Sequence, residues 1–191
     1  MDKKIIAVIA VVIVAVIAIG LFVIGSSYVT LEALDASVTL PNNFTVDDKG
    51  VATAGDVKVQ LIGSTDNSDV LSSFMATVAK KGSDSGYKDY KNGTIGEFTY
   101  HEFTANPKEL KNLTTDRQTT SEGETWMEYP PDMILGMIND TSNVVKIREV
   151  DFINTKTNKI TTLLVYTNNT DADLNSPEIN NIVNSIAPLQ K

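Results

Sequence analysis

Apolar residues recur along this chain with three periods, and each period predicts a different kind of element. Residues 5–25, IIAVIAVVIVAVIAIGLFVIG, carry no polar side chain. A helix of that length reaches roughly 30 Å, the hydrocarbon thickness of a bilayer, where a lone segment satisfies its backbone only as a helix. Lys3 and Lys4 precede the segment, and no Lys or Arg follows it before Lys49. That bias puts the N-terminus on the cytoplasmic side. The expectation is a single-pass cell-membrane protein. Residues 1–4 are cytoplasmic, 5–25 a transmembrane signal anchor, 26–35 a tether and 36–191 an extracytoplasmic domain. A cleaved signal peptide is the rival reading, but its apolar region runs only about 7–15 residues.

Period two takes over at Ala36. Val38 and Leu40 alternate with Ser37 and Thr39 until Pro41-Asn42-Asn43 interrupts, and Val57, Val59 and Leu61 alternate with Lys58 and Gln60. Both read as half-buried strands, with a hairpin turn at Asp47 to Gly50 between them. Residues 82–94 read as polar loop and 95–104 as a strand. Residues 133–138 fit a short helix after Pro131 or an apolar strand, since periodicity does not separate the two. Residues 144–153 and 160–166 read as a hairpin across 154–159. In its first arm Val145 and Ile147 share one parity, Val150 and Phe152 the other. That change of phase near Glu149 predicts a β-bulge.

Helical spacing appears in two stretches. Val70, Leu71, Phe74, Met75 and Val78 follow a cap at Asp66 or Ser68 and precede Lys80 and Lys81, with Gly82 as the left-handed stop. Ile179, Ile182, Val183 and Ile186 follow Ser176-Pro177, an N-cap and a first-turn proline. The pattern therefore predicts an α+β fold: an N-terminal transmembrane helix followed by a curved antiparallel β-sheet flanked by helices.

Two stretches carry a family resemblance. The opening strand-Pro-loop, Val38-Thr39-Leu40-Pro41 through Phe44, and the closing INNIVNSI of residues 179–186 resemble the PsbP/Mog1/DcrB-like α/β families. The resemblance implies the same sheet-and-helix architecture over most of residues 36–189, and brings no shared catalytic residues with it. The Ile-rich segment and the Asn- and Thr-rich remainder are also similar in style to small surface proteins of methanogenic archaea.

Charge and composition narrow the chemistry. The chain has 16 basic and 24 acidic residues, and only Asp2, Lys3 and Lys4 of these precede residue 26. The acidic remainder argues against nucleic acid and against docking on anionic lipid. With no cysteine, thiol chemistry and zinc–thiolate sites are excluded. His101 is the single histidine, and the chain has no G-x-S-x-G elbow, so His101 reads as a satisfied strand residue. Asp171, Asp173 and Asn175 are spaced like the start of an EF-hand, but Ser176 stands at the glycine position and Ile182 at the closing glutamate. An irregular calcium loop of Asp171, Asp173 and Glu178 is the metal candidate, set against plain loop and capping roles.

Trp126, Tyr129, Tyr87 and Tyr90 are binding-surface candidates, able to stack on a sugar or a partner chain, set against a core role for Trp126. Glu124 and Glu128 flank Trp126 as a conceivable carboxylate pair. Asn43, Asn92, Asn112, Asn139 and Asn168 open N-x-T sequons and are the candidate N-glycosylation positions. The leading expectation is a membrane-anchored, non-catalytic binding or assembly module of the cell envelope. Its partners are the lipid bilayer through residues 5–25 and an envelope protein or glycan, with no cofactor. The alternatives are an extracytoplasmic solute- or Ca-binding accessory protein, and an envelope hydrolase using carboxylates.

Overall fold

The structure, a computed structural model, describes residues 28–64, 68–115, 118–120, 123–125, 128–138 and 143–189. Strands β1 (Tyr28–Ala33) and β2 (Ala36–Pro41) form a hairpin, and β3 (Thr45–Val46), β4 (Val51–Ala54) and β5 (Val57–Ser64) lead to helix α1 (Ser68–Lys81). A 3-10 turn at Gly82–Ser85 precedes β6 (Tyr87–Ile95) and β7 (Phe98–Ala105). Four short strands follow, β8 (Leu113–Thr114), β9 (Gln118–Thr120), β10 (Gly123–Thr125) and β11 (Glu128–Tyr129), and then α2 (Asp132–Leu135). The long hairpin of β12 (Lys146–Asn154) and β13 (Ile160–Thr167) leads to α3 (Pro177–Asn184) and β14 (Ala187–Pro188).

Seven strands make the main sheet, in the order β3-β4-β5-β13-β12-β7-β6, with every pair antiparallel. Strand parity divides its side chains between two apolar layers. Val59, Leu163, Val150 and Phe152 face the small β1-β2-β14 sheet and Ile179, Ile182 and Val183 of α3. Ile62, Leu164, Ile147 and Phe103 face Phe74, Met75 and Val78 of α1 and Leu113, Tyr129, Ile134 and Ile138. These are called the α3 face and the α1 face below. Helix α3 forms as its sequence dictates: Ser176 Oγ accepts the Ile179 N–H at 3.4 Å and Pro177 occupies the first turn.

The expected α+β class gives way to a mainly β fold. Multi-stranded antiparallel sheets dominate the described residues, and the α-helices run only 14, 4 and 8 residues. Part of the reason lies in residues 87–94, which read as loop but belong to β6. An edge strand turns one side to solvent, so its polarity hides its pairing, and its register with β7 shifts between Lys88 and Lys91. Residues 28–33, within the expected tether, form β1 against β2.

The transmembrane, single-pass expectation, and the membrane localisation built on it, are corrected as well. No helix among the described residues is long and apolar enough to cross a membrane. The longest, α1, has 14 residues, against the about 20 that a bilayer requires. Residues 5–25, on which that expectation rested, lie outside the described residues, as do Asp66, Trp126 and Asn139.

Strand β12 carries no bulge, since its residues pair without a break against both β13 and β7. The change of phase has another origin. Arg148 shares the α3 face with Val150 and Phe152, Glu149 and Asp151 share the α1 face with Ile147, and all three charged residues are buried. The left-handed stop after α1 falls on Gly86, with φ 88°, because the 3-10 turn prolongs the helix past Gly82.

Candidate functional site

The largest of the described cavities is a groove of about 610 Å³ where β6, β7 and β12 meet the loop after β13. Strand geometry fixes one wall. Lys146 and Arg148 lie on the same face of β12, and each reaches a carbonyl of that loop. Lys146 Nζ donates to the Ala172 carbonyl at 2.8 Å and Arg148 Nη1 to the Leu174 carbonyl at 2.9 Å. Alternate strand residues thus hold alternate loop carbonyls. On the other wall Lys88 Nζ pairs with Glu109 Oε2 at 2.8 Å, and Asn106 Nδ2 donates to Glu109 Oε1 at 3.0 Å. Their mutual hydrogen bond raises the Lys88 ammonium and lowers the Glu109 carboxyl. Thr104 Oγ1 donates to Asp89 Oδ2 at 2.7 Å. Asp171, Asp173 and Lys108 complete the charged rim, all exposed.

Arg148 also anchors a buried relay behind that groove. Its Nη2 donates to Glu102 Oε2 at 2.8 Å, its Nη1 to Asn180 Oδ1 at 2.7 Å, and Lys91 Nζ reaches Glu102 Oε1 at 2.9 Å. The chain of contacts joins β6, β7, β12, the 170–175 loop and α3. Burial alone would raise the Glu102 carboxyl, but hydrogen bonds from Arg148 and Lys91 outweigh it and hold the group below the ordinary carboxylate range.

The α1 face of β12 holds a second polar group. Glu149 and Asp151 are each 2% exposed. Thr162 Oγ1 donates to Asp151 Oδ1 at 2.6 Å, and Glu149 and Asp151 stand two residues apart on one face of the strand. Ionised carboxylates only accept, so a hydrogen bond between two carboxyls needs a proton on one of them. Burial, then the Asp151 charge, pushes Glu149 well above its ordinary value. Burial pushes Asp151 up to about 6 against the opposing bonds from Thr162 and Glu149. Burial and Glu149 raise the Tyr87 hydroxyl.

His101 is the cross-strand partner of Asp151, and burial holds its imidazole below the usual value. Its Nδ1 lies 2.8 Å from the Tyr90 hydroxyl, with the rings stacked at 6.1 Å. None of Glu149, Asp151, His101 and Tyr87 lines a described cavity.

The residues singled out in the sequence fall in several places. Tyr87 and Tyr129 are buried, packed edge-on against Phe74 at 5.9 and 5.0 Å, while Tyr90 is half-buried beside His101. Asp171 and Asp173 line the groove, and Asp173 and Glu178 line a neighbouring cavity of about 280 Å³. Asp173 Oδ1 accepts the Asn175 N–H at 2.9 Å and Glu178 Oε1 accepts from Asn43 at 3.3 Å. No three acids or histidines among the described residues are grouped to hold a metal ion. Asn43, Asn92, Asn112 and Asn168 are all exposed.

Sequence reasoning passed over Glu102, Arg148, Glu149 and Asp151. The signal was present as the change of phase near Glu149, produced by buried charges on both faces of one regular strand. Comparison with protein-family models and with curated proteins finds no match to this chain.

Proposed function

We propose that this domain is a non-catalytic binding or assembly module, and that its groove receives a polar, mixed-charge segment of a partner. The observation that carries this reading is the groove itself, about 610 Å³, with walls already held by Lys146, Arg148 and the Lys88–Glu109 pair. Side chains fixed before the partner arrives lose little entropy on binding. The rim offers both signs of charge, which suits a zwitterionic or alternating-charge ligand better than a uniformly charged one. The buried acids of the α1 face line none of the described cavities, so the groove, rather than a hydrolytic carboxylate pair, supports the assignment.

An NMR titration of the full chain with short mixed-charge peptides and with oligosaccharides tests it. Amide shifts are expected to gather at residues 88–89, 104–109 and 170–175. The double variant Lys108→Ala/Asp171→Ala is expected to weaken binding by about fivefold, the scale of two exposed charges. Shifts scattered elsewhere, or affinity unchanged in the double variant, would overturn the reading.

A further inference from the structure

Glu149 and Asp151 sit side by side on the α1 face of a central strand, 2% exposed each, with Glu149 Oε2 and Asp151 Oδ2 unpartnered among the described residues. We infer that they form a proton-operated latch: one shared proton joins the two carboxyls, and its loss loosens the layer of α1, Leu113, Tyr129, Ile134 and Ile138 that covers them.

The surroundings decide what deprotonation does. From β7 the pair meets His101, and from β13 Thr162 and Tyr166. Strand β6 contributes Tyr87 and, through His101, Tyr90. Strand β5 adds Gln60, with Lys58 at its exposed end, and β11 adds Tyr129. Helix α1 presents Phe74, Met75, Thr77 and Val78, with Lys80 and Lys81 in its last turn. No cation among the described residues ion-pairs with either carboxyl. The buried cation of the same strand, Arg148, lies on the opposite face and is taken by Glu102, Asn180 and the Leu174 carbonyl.

Two like charges on neighbouring positions of one strand face in a dry layer are costly, and water relieves them only by entering. Gln60 Oε1 and the hydroxyls of Tyr87 and Tyr129 are buried without partners among the described residues, and an entering water would satisfy them. The layer that must part is the α1 side, since α3 is tied down across the sheet by Arg148.

The direction with pH follows. Both carboxyls lie above their unfolded values, so their contribution to stability is complete below about pH 4 and is lost as pH rises through about 6 and beyond. His101 acts in the opposite sense. Held below its ordinary value, it adds stability as pH rises toward its unfolded value of about 6.5 and has finished by about pH 7. Glu102, also lowered, has made its full contribution above about pH 4. Above about pH 7 the remaining slope therefore belongs to the pair.

Two readings on the full chain between about pH 7 and 8.5 test the latch. In urea, the unfolding constant is expected to rise by up to about tenfold per pH unit for each proton released. In hydrogen exchange read by mass spectrometry, residues 68–81 are expected to gain rate beyond the base-catalysed increase that residues 177–184 report on the other face. Glu149→Gln, neutral and of the same shape, is expected to remove both effects. Should that variant not fold, the infrared carbonyl band of a protonated carboxylic acid in the unsubstituted chain decides instead: present at neutral pH and lost on alkaline titration. Stability that is flat or rising above neutral pH, α1 exchange that tracks α3, a Glu149→Gln slope equal to the parent's, or absence of the carbonyl band each overturns the latch.

Discussion

Arg148 and Glu149 are neighbours in sequence with opposite electrostatic fates. Arg148, 3% exposed, is paired with Glu102 and bonded to Asn180 and a loop carbonyl. A buried pair of this kind contributes little over an apolar pair of equal shape, but half of it alone is expensive. Arg148→Met is expected to cost about 3–5 kcal/mol in urea unfolding, because Glu102 stays buried with only Lys91 at the rim. The double variant Arg148→Met/Glu102→Leu is expected to recover most of that loss, and a double variant as unstable as the single would contradict the account. The two sites also respond oppositely to pH. Glu102 is held low, so its share of stability fades as the solution is acidified, whereas the Glu149–Asp151 share fades as it becomes alkaline.

Among the elements, those whose cause is local were plain from the sequence and those whose cause is distant were not. Helix α3 needed only Ser176, Pro177 and its apolar stripe, and the β12–β13 hairpin needed only apolar runs around a polar turn. Strand β6 is hidden in the sequence because edge pairing leaves no apolar alternation, and β1 because the alternation of β2 does not show which segment pairs with it. Close approach between elements is equally hidden. A Cβ on Gly63 of β5 would stand 2.3 Å from Leu34 Cγ, in the β1–β2 turn, where Leu34 itself has φ 53°. The turn is seated on a notch that only glycine leaves open. Gly63→Ala is expected to cost about 1–3 kcal/mol through overpacking, measured by thermal or urea unfolding. A change within about 0.5 kcal/mol, the range of neutral surface substitutions, would mean that the hairpin lifts away without penalty.

For the whole molecule, β13 is the axis. All eight of its residues are buried, and it is bonded to β12 on one side and β5 on the other. Hydrogen exchange is expected to be slowest there and fastest in the short β9–β10 pair, and the reverse order would refute the layer arrangement. The candidate groove was half legible. Asp171 and Asp173 carry a signal in their spacing, while Lys146 and Arg148 carry none. The groove comes into being only when the loop after β13 folds back on β12, a contact between residues 26 apart in sequence. Burial of Glu149 and Asp151 was hidden for the same reason: their strand reads as half-polar until α1, from the first half of the chain, is laid across it.

The β5–β13 pairing has a consequence for how the protein is made. On a ribosome, β3, β4 and β5 emerge together, but the free side of β5 stays unclaimed until residues 160–167 arrive to bond it. For that whole interval Val57–Ser64 is an open sheet edge with Val59, Leu61 and Ile62 beside it, the arrangement that recruits wrong partners. Lys58 and Gln60, polar residues on the side not facing α3, punctuate the run and lower that hazard while the strand waits.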